Sequence, residues 1–385
     1  MRFLYIAPRY HTNQMDIMKG LIEHGHEVCF ISHYTAIIED YSYVKPIVLG
    51  YSPLYRLIDF LYVKVIHRRN PAAILFKIQH GFPPILKLHK MIKSFQPDVV
   101  ILREKSMYSM VAYLLCRKQG HPCILYNQNP YLSEPDKNDP AHRLVNMLSP
   151  KMRMTPVYGI QKPGMSVKEN DFFIPFVAEP RLSPGERTYF DNDIIRIMCI
   201  GKYETRKHHL MLLETVEELQ KRYPLRLTLI GEATTAFQKE YHKKVETYVK
   251  EHRMQQFVTV KTNVPRKDMD AEYAKTDIYV IPSTREMASV SQLEAMSYSL
   301  PVICSDANGT ASYVEDGITG YQFRDCDKED LQRKLELLVS DRERICQMGA
   351  AGYRAVIEKY NFRRYYDGIL DILEKVKKSN EKRKN

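Results

Sequence analysis

Two carboxylates stand eight residues apart in the run Ile281-Pro-Ser-Thr-Arg-Glu286-Met-Ala-Ser-Val-Ser-Gln-Leu-Glu294-Ala-Met-Ser-Tyr-Ser-Leu-Pro301-Val-Ile-Cys-Ser-Asp306-Ala-Asn-Gly309. An apolar strand ends at Pro282, a loop carries Glu286, and Ser289 is placed to cap the helix bearing Glu294. A helix start, here Ser289 and Val290, offers free N–H groups and a partial positive charge, which suit a phosphate. A carboxylate about one turn further in can accept hydrogen bonds from two adjacent hydroxyls, as on a ribose. Together they suit a nucleoside diphosphate. The spacing itself carries no weight, because about two such Glu pairs are expected by chance. Two occur, the other being Glu232/Glu240. What distinguishes Glu286/Glu294 is its setting between a strand, a helix and a Gly-containing turn.

Such a site needs a scaffold. Ile194–Ile200, Leu225–Ile230, Phe257–Val260, Ile278–Ile281 and Val302–Cys304 read as apolar strands, separated by helical patterns near His208–Arg222, Ala236–Arg253, Lys267–Ala274 and Val290–Ser297. Continuous apolar strands alternating with helices predict a parallel sheet covered on both faces. The first half repeats the pattern: a run ending at Ala7-Pro8, a helix over Met15–His24, then Val28–Ser32, Asp98–Leu102, a helix near Met107–Arg117, Cys123–Tyr126 and Phe172–Pro175. The expected fold class is α/β, with two doubly wound Rossmann-like domains facing a cleft at the carboxyl ends of their strands. Boundaries are expected at 1–175, a linker over 176–192, and 193–360. Three helical patterns, Lys328–Val339, Arg342–Lys359 and Arg363–Lys377, close the chain.

The second half resembles the family-4 retaining glycosyltransferases, nucleotide-sugar enzymes of the GT-B fold. The resemblance rests on Glu286 to Glu294, Leu293-Glu-Ala-Met296, Pro301-Val-Ile303 and Val314-Glu-Asp-Gly317. It covers about 194–360 well and the first half in outline. It implies that Glu294 holds the ribose hydroxyls of the donor and that Glu286 faces the donor sugar and diphosphate. The family also places an Arg and a Lys on the diphosphate, after the first strand of this domain. Lys202 and Lys207 of Gly201-Lys202-Tyr-Glu-Thr-Arg206-Lys207 occupy those positions, with His208 where the family usually has glycine. Two cations there would neutralise a leaving diphosphate, although Lys at 202 lacks the fork of an arginine. The plainer alternative is that Arg206 to His209 are a solvated helix start. The resemblance further implies that 361–385 packs back on the first domain as a helix with a frayed basic tail.

Weaker signals surround this block. Gly231 ends a strand and would let a nucleotide approach, or is a plain turn glycine. Asn308 and Gly309 could aim N–H groups at the donor, or form a left-handed turn; Ser312 stands where the family carries an acid. Three D-x-D pairs (Asp191/Asp193, Asp268/Asp270, Asp325/Asp327) read as helix caps and linker residues, so no metal and no other cofactor is assigned. In the first half, His11, Asn13 and Gln128 are candidates on the acceptor side, against the plainer reading of polar loop residues. In a retaining reaction without a protein nucleophile, the donor phosphate itself can take the acceptor proton.

The 385 residues carry 57 Lys+Arg against 46 Asp+Glu, a net +11 with 44% hydrophobic residues. These values exclude disorder and a coiled coil, and no apolar run approaches a membrane span. Seven scattered cysteines without C-x-x-C, and no secretory signal, predict reduced thiols in a cytoplasmic protein. Residues 1–190 carry +9, 191–350 carry −3 and 351–385 carry +5. The basic excess thus lies on the expected acceptor domain and the tail. Leu54–Arg69 and Ile85–Lys93 mix apolar and basic residues at helical spacing. Such helices can lie on anionic lipid, at the inner face of a membrane, or be core helices with a solvated basic face; both readings stay open.

The expectation is therefore a metal-independent glycosyltransferase of hexosyltransferase type, with catalytic Glu286 and Lys207. Its partners would be a nucleotide-diphospho-sugar, a saccharide or lipid-linked acceptor in cell-surface polysaccharide or glycolipid assembly, and an anionic membrane, with no nucleic acid. Two rivals remain: a GT-B sugar-nucleotide epimerase, and a non-catalytic basic protein that binds membrane or nucleic acid.

Overall fold

A computed structural model describes residues 1–35, 39–65, 79–103, 105–134, 140–159 and 163–381. Its contacts divide into two units: Met1–Pro156 with Gln161–Pro175 and Phe362–Asn385, and Val157–Ile160 with Phe176–Asn361. Residues 66–69 of the basic amphipathic stretch and the tail from 382 lie outside the described residues.

The first unit is built on strands β1 (Arg2–Ala7), β2 (Glu27–Ser32), β3 (Ile47–Val48), β4 (Val99–Arg103), β5 (Cys123–Tyr126), β7 (Arg153–Thr155) and β9 (Asp171–Phe173), in the order β3-β2-β1-β4-β5-β7-β9; β6 (Leu132–Ser133) and β8 (Ser166–Val167) make a separate pair. Phe3 to Ala7 are buried without alternation, as a parallel strand covered on both faces requires. One face packs Leu4, Ile6, Val100 and Leu102 against Leu88, Ile92, Tyr108 and Ala112, which come from α3 (Ile85–Phe95) and α4 (Met107–Lys118). The Ser106 hydroxyl starts α4 by accepting from the Ser109 amide at 3.2 Å, and Arg117 and Lys118 complement the dipole at its end. Helices α1 (Met15–Glu23), α2 (Pro53–Val65) and α5 (Pro140–Met147) complete the described layers. The helix Phe362–Glu381 belongs to this unit. The Phe362 ring lies where a Cβ at Gly20 would be, and the Tyr365 hydroxyl bonds that of Tyr5 at 2.9 Å.

The second unit is a six-stranded parallel sheet: β10 (Ile195–Ile200), β11 (Leu225–Gly231), β12 (Val258–Thr262), β13 (Ile278–Ile281), β14 (Val302–Ser305) and β15 (Gly320–Phe323), in the order β12-β11-β10-β13-β14-β15. Helices α6 (His209–Gln220), α7 (Ala236–Glu251), α8 (Arg266–Ala274), α9 (Ser291–Ser297), α10 (Lys328–Val339) and α11 (Arg342–Lys359) cover it. The core joins Ile195, Ile197, Leu227, Leu229, Val280 and Ile303 to Leu212, Val216, Leu331 and Leu335. Residues 176–192, expected as a linker, pack on this unit. Arg187 is buried and donates to the Tyr298 carbonyl at 2.7 Å, and the Tyr189 hydroxyl donates to the Ser299 carbonyl at 2.5 Å.

Candidate active site

In the second sheet the chain leaves β10 toward β11 on one side and toward β13 on the other. Doubly wound sheets open a ligand crevice at such a point, beyond the carboxyl ends of the strands. The loop after β10 includes a short 3-10 turn, Thr205–Lys207. The loop after β13 carries Glu286, and the two loops are tied by the Thr284 amide donating to the Arg206 carbonyl at 2.9 Å. Lys207 is 7% exposed and runs its stem over Gly201; its ammonium pairs with Glu286 Oε2. Arg206 Nη1 donates to the same oxygen at 2.8 Å, while its Nε donates to Glu204 Oε2 at 2.9 Å. Burial works against the Arg206 charge, but Glu286 and Glu204 outweigh it and hold its pKa above the usual value. One carboxylate and two cations therefore meet at the switch point. Arg206, read from the sequence as solvated, is part of the cluster.

Glu294 lies in the first turn of α9 and is locked on both oxygens. Oε2 accepts from the Tyr273 hydroxyl at 2.8 Å, and Oε1 pairs with Arg266 Nη2 at 2.9 Å. Burial and the Glu294 charge push the Tyr273 hydroxyl well above its ordinary pKa, so it stays a donor. Two lone-pair sites remain on such a carboxylate. Ser289 does not cap the helix: Val290 holds that position in a helical conformation, without a side-chain cap. The Ser289 amide donates to Thr310 Oγ1 at 3.1 Å, and its hydroxyl lies 2.9 Å from that of Ser291. That amide is occupied by the protein rather than offered to a phosphate.

Asn308 and Gly309 also differ from expectation. The Asn308 side chain, 2% exposed, donates to Gln292 Oε1 at 2.9 Å and accepts from the Thr310 amide at 3.1 Å. Gln292 in turn donates to the Thr310 carbonyl. The Gly309 amide donates to the Glu286 carbonyl at 2.8 Å. Gly309 has no positive φ; a Cβ there would instead collide with the Met287 carbonyl oxygen. Both residues thus hold the loop that presents Glu286. Gly231 is likewise fixed by close approach, of the Gly201 carbonyl and the Tyr203 ring. Lys202 is half-exposed and pairs with Glu232 at 3.4 Å, apart from the Glu286 cluster. His208 has φ +50°, which explains a glycine preference at this position. Ser312 is exposed in the turn Ala311–Tyr313.

Asp327 caps α10 by accepting from the Asp330 amide at 2.9 Å, and Asp268 lies in the first turn of α8. Asp325, expected as a cap, instead bonds across the sheet end. It lies two residues beyond β15 and accepts from Thr284 Oγ1 at 2.7 Å and Ser305 Oγ at 2.9 Å, pinning the loops after β13 and β14. Among the described residues no group of three or more His, Cys, Asp or Glu is placed to share a metal ion.

In the first unit, His11 and Asn13 follow β1. His11 Nε2 accepts from Arg9 Nε at 3.2 Å. Asn13 is 9% exposed, and its buried Oδ1 has no partner among the described residues. Gln128 follows β5 and is half-buried beside Asn127, whose Oδ1 accepts from Arg153 Nη1 at 3.2 Å.

Residues 187–355 match the family model described as glycosyl transferases group 1, and this span holds the whole Glu286, Glu294, Arg206 and Lys207 arrangement. Over this span the chain is similar to the group 1 glycosyl transferases. Similar curated proteins include the sulfoquinovosyl transferase of Arabidopsis thaliana, 37% identical over 25% of this chain and 19% of that one. Another is a GDP-mannose-dependent phosphatidylinositol monomannoside mannosyltransferase of Mycolicibacterium smegmatis, 23% identical over 43% and 44%. The chain thus spans less than half the length of these relatives. A Rickettsia africae glycosyltransferase shares the fold at TM-score 0.73, with 15% identity over 97% of this chain and 98% of that one. Anabaena HepE, in complex with UDP and glucose, does so at 0.69, with 11% identity over 97% and 100%. The chain therefore has the GT-B fold of two Rossmann-like domains.

Proposed function

We propose that this chain is a retaining glycosyltransferase that moves a hexosyl group from a nucleotide-diphospho-sugar to an acceptor. The observation that carries the reading is the convergence of Lys207 and Arg206 on Glu286 at the switch point of the second sheet. A diphosphate is the ligand two adjacent cations suit, and their charge stabilises it as it leaves. Glu286 faces the sugar, and Glu294, oriented by Tyr273 and Arg266, accepts from the ribose hydroxyls with its remaining lone pairs. Lys202, paired with Glu232, is a further cation for the diphosphate. The side-chain cations make a metal unnecessary for charge neutralisation.

The acceptor hydroxyl attacks the anomeric carbon on the face from which the diphosphate departs. The carbon–phosphate oxygen bond breaks as the new glycosidic bond forms, and the acceptor proton passes to a phosphate oxygen. His11, Asn13 and Gln128 line the acceptor side. The net +9 of residues 1–190 favours a cytoplasmic enzyme at an anionic membrane, glycosylating a saccharide or lipid-linked acceptor in cell-surface polysaccharide or glycolipid assembly.

A thermal-shift panel of UDP, GDP and their sugars tests the donor half, because a ligand bound only by the folded form must raise the melting temperature. One nucleotide should raise it in the wild type and fail to do so in Lys207→Ala. The anomeric configuration of the product, read by NMR, tests retention. Interconversion of donor sugars without an acceptor would mean an epimerase, and no nucleotide response at all would sink the reading.

A further inference from the structure

Helix α2 turns an apolar stripe outward. Leu54, Leu57, Ile58 and Leu61 recur at i, i+3, i+4 and i+7 and are 61, 57, 49 and 52% exposed, while Tyr55 carries the buried side at 4%. At the start of α3, Ile85 is 47% and Leu86 85% exposed. The two elements are joined by the Ser52 amide donating to the Phe82 carbonyl at 2.9 Å, and the Tyr55 and Phe82 rings lie 5.7 Å apart. Beside the patch, Lys87, Lys90 and Lys93 are exposed on α3, and none makes an ion pair among the described residues. A core helix would bury those leucines. This one buries Tyr55 and leaves them in water, so the core reading of the sequence is rejected for α2.

We propose that α2 and the first turn of α3 lie on an anionic lipid bilayer, with Leu54, Leu57, Ile58, Leu61 and Leu86 in the acyl boundary and Lys87, Lys90 and Lys93 over the head groups. The inference deepens the membrane-side acceptor reading and rests on it, but not on the chemistry at Glu286. Charge selects lipid over a second copy of the chain. Lys87, Lys90 and Lys93 are exposed together on α3, so a symmetric pairing through this face would set lysines against lysines. An anionic bilayer complements both parts of the surface. Apolar insertion and basic attraction, at about 1 kcal/mol per lysine, are the two signals that stable surface binding needs.

The test is co-sedimentation of the full chain with vesicles of equimolar phosphatidylcholine and phosphatidylglycerol, beside vesicles of phosphatidylcholine alone. The wild type should pellet with the mixed vesicles and far less with the neutral ones. A Leu57→Glu/Leu61→Glu variant should bind at least about tenfold more weakly. A Lys87→Gln/Lys90→Gln/Lys93→Gln variant should lose a similar factor together with most of the salt dependence. Both substitute exposed positions, and circular-dichroism melting checks that they fold. Undiminished pelleting of the leucine variant overturns the proposal. So does wild type that stays in solution, or a dimer in sedimentation velocity that the leucine variant abolishes. Nucleotide affinity, measured in parallel, should not change in either variant. Its loss in the wild type would count against the donor reading and leave the lipid result standing.

Discussion

The two sheets share one topology and differ in what their crevices offer. In the first, β1 is flanked by β2 and β4; in the second, β10 is flanked by β11 and β13. The loops of the second sheet bring two cations onto one carboxylate. In the first, Asn13 follows β1, and His33, after β2, is buried against Tyr108 of α4; the arginines that follow β1 and end β4 make other contacts. Arg9 lies 3.9 Å from Glu39, and Arg103 lies over the Tyr126 ring at 5.4 Å. His33 is 4% exposed, stacks on Tyr108 with ring centroids 3.8 Å apart, and burial pushes its pKa down to about 3. It is neutral at physiological pH. The topology provides the place twice; a handful of loop residues decides that two cations meet a carboxylate at the second.

The largest effect that would break this contrast concerns Lys207. Lys207→Ala should weaken UDP or GDP binding by about 10–100-fold, the loss of a charge-assisted hydrogen bond. It should lower turnover by about 10²–10³. Asn13→Ala, in the other crevice, should move nucleotide affinity less than about twofold. Calorimetric titration of both variants checks the pair, and equal losses would erase the distinction. Next, Gly309→Ala should cost about 1–3 kcal/mol in urea unfolding, by forcing a methyl into the Met287 carbonyl. Turnover should fall with it, because the Glu286 loop must shift.

A titration separates the units at the next level. His33 in the first unit and His209 in the second are both held near a pKa of about 3, the first by burial and the second by burial and then the Lys207 charge. The unfolded chain takes up these protons below about pH 6.5 while the folded chain does not until about 3. Stability should therefore fall with pH across that window, by up to about 1.4 kcal/mol per pH unit for each histidine. His209→Phe keeps a ring against Tyr203, 5.0 Å away. It should remove the share of the second unit alone; an unchanged slope of unfolding free energy against pH would refute it. The smallest effect is at His208, whose φ of +50° a glycine adopts freely. His208→Gly should gain at most about 1 kcal/mol, read as a small rise in Tm.

Much of this was legible from residue order. The strand–loop–helix setting of Glu286 and Glu294 and the place of Lys207 after β10 follow from apolar runs, caps and breakers. What was not legible is partner choice. Arg206 and Lys207 are neighbours in sequence, and only the 3-10 turn swings both toward the loop after β13. Arg266 reaches Glu294 from another helix. The Ser289 cap failed because the helix starts one residue later, with Val290 at the cap position, and the Ser289 hydroxyl lies against that of Ser291. Gly309 was misread because a left-handed turn and a close backbone approach leave the same letter in a sequence. The outward face of α2 was open for a similar reason, since a helical stripe does not say which side meets the core.

The helix Phe362–Glu381 completes the first unit, although the second unit, through Asn361, lies before it in the chain. During synthesis from the amino terminus, the second unit is therefore whole while the first still lacks the helix that fills the space over Gly20 and meets Tyr5. Its Rossmann layers must wait for residues 362–381 to leave the ribosome. Nascent chains stalled before 362 should then show a protease-resistant second unit and a first unit that is still digested.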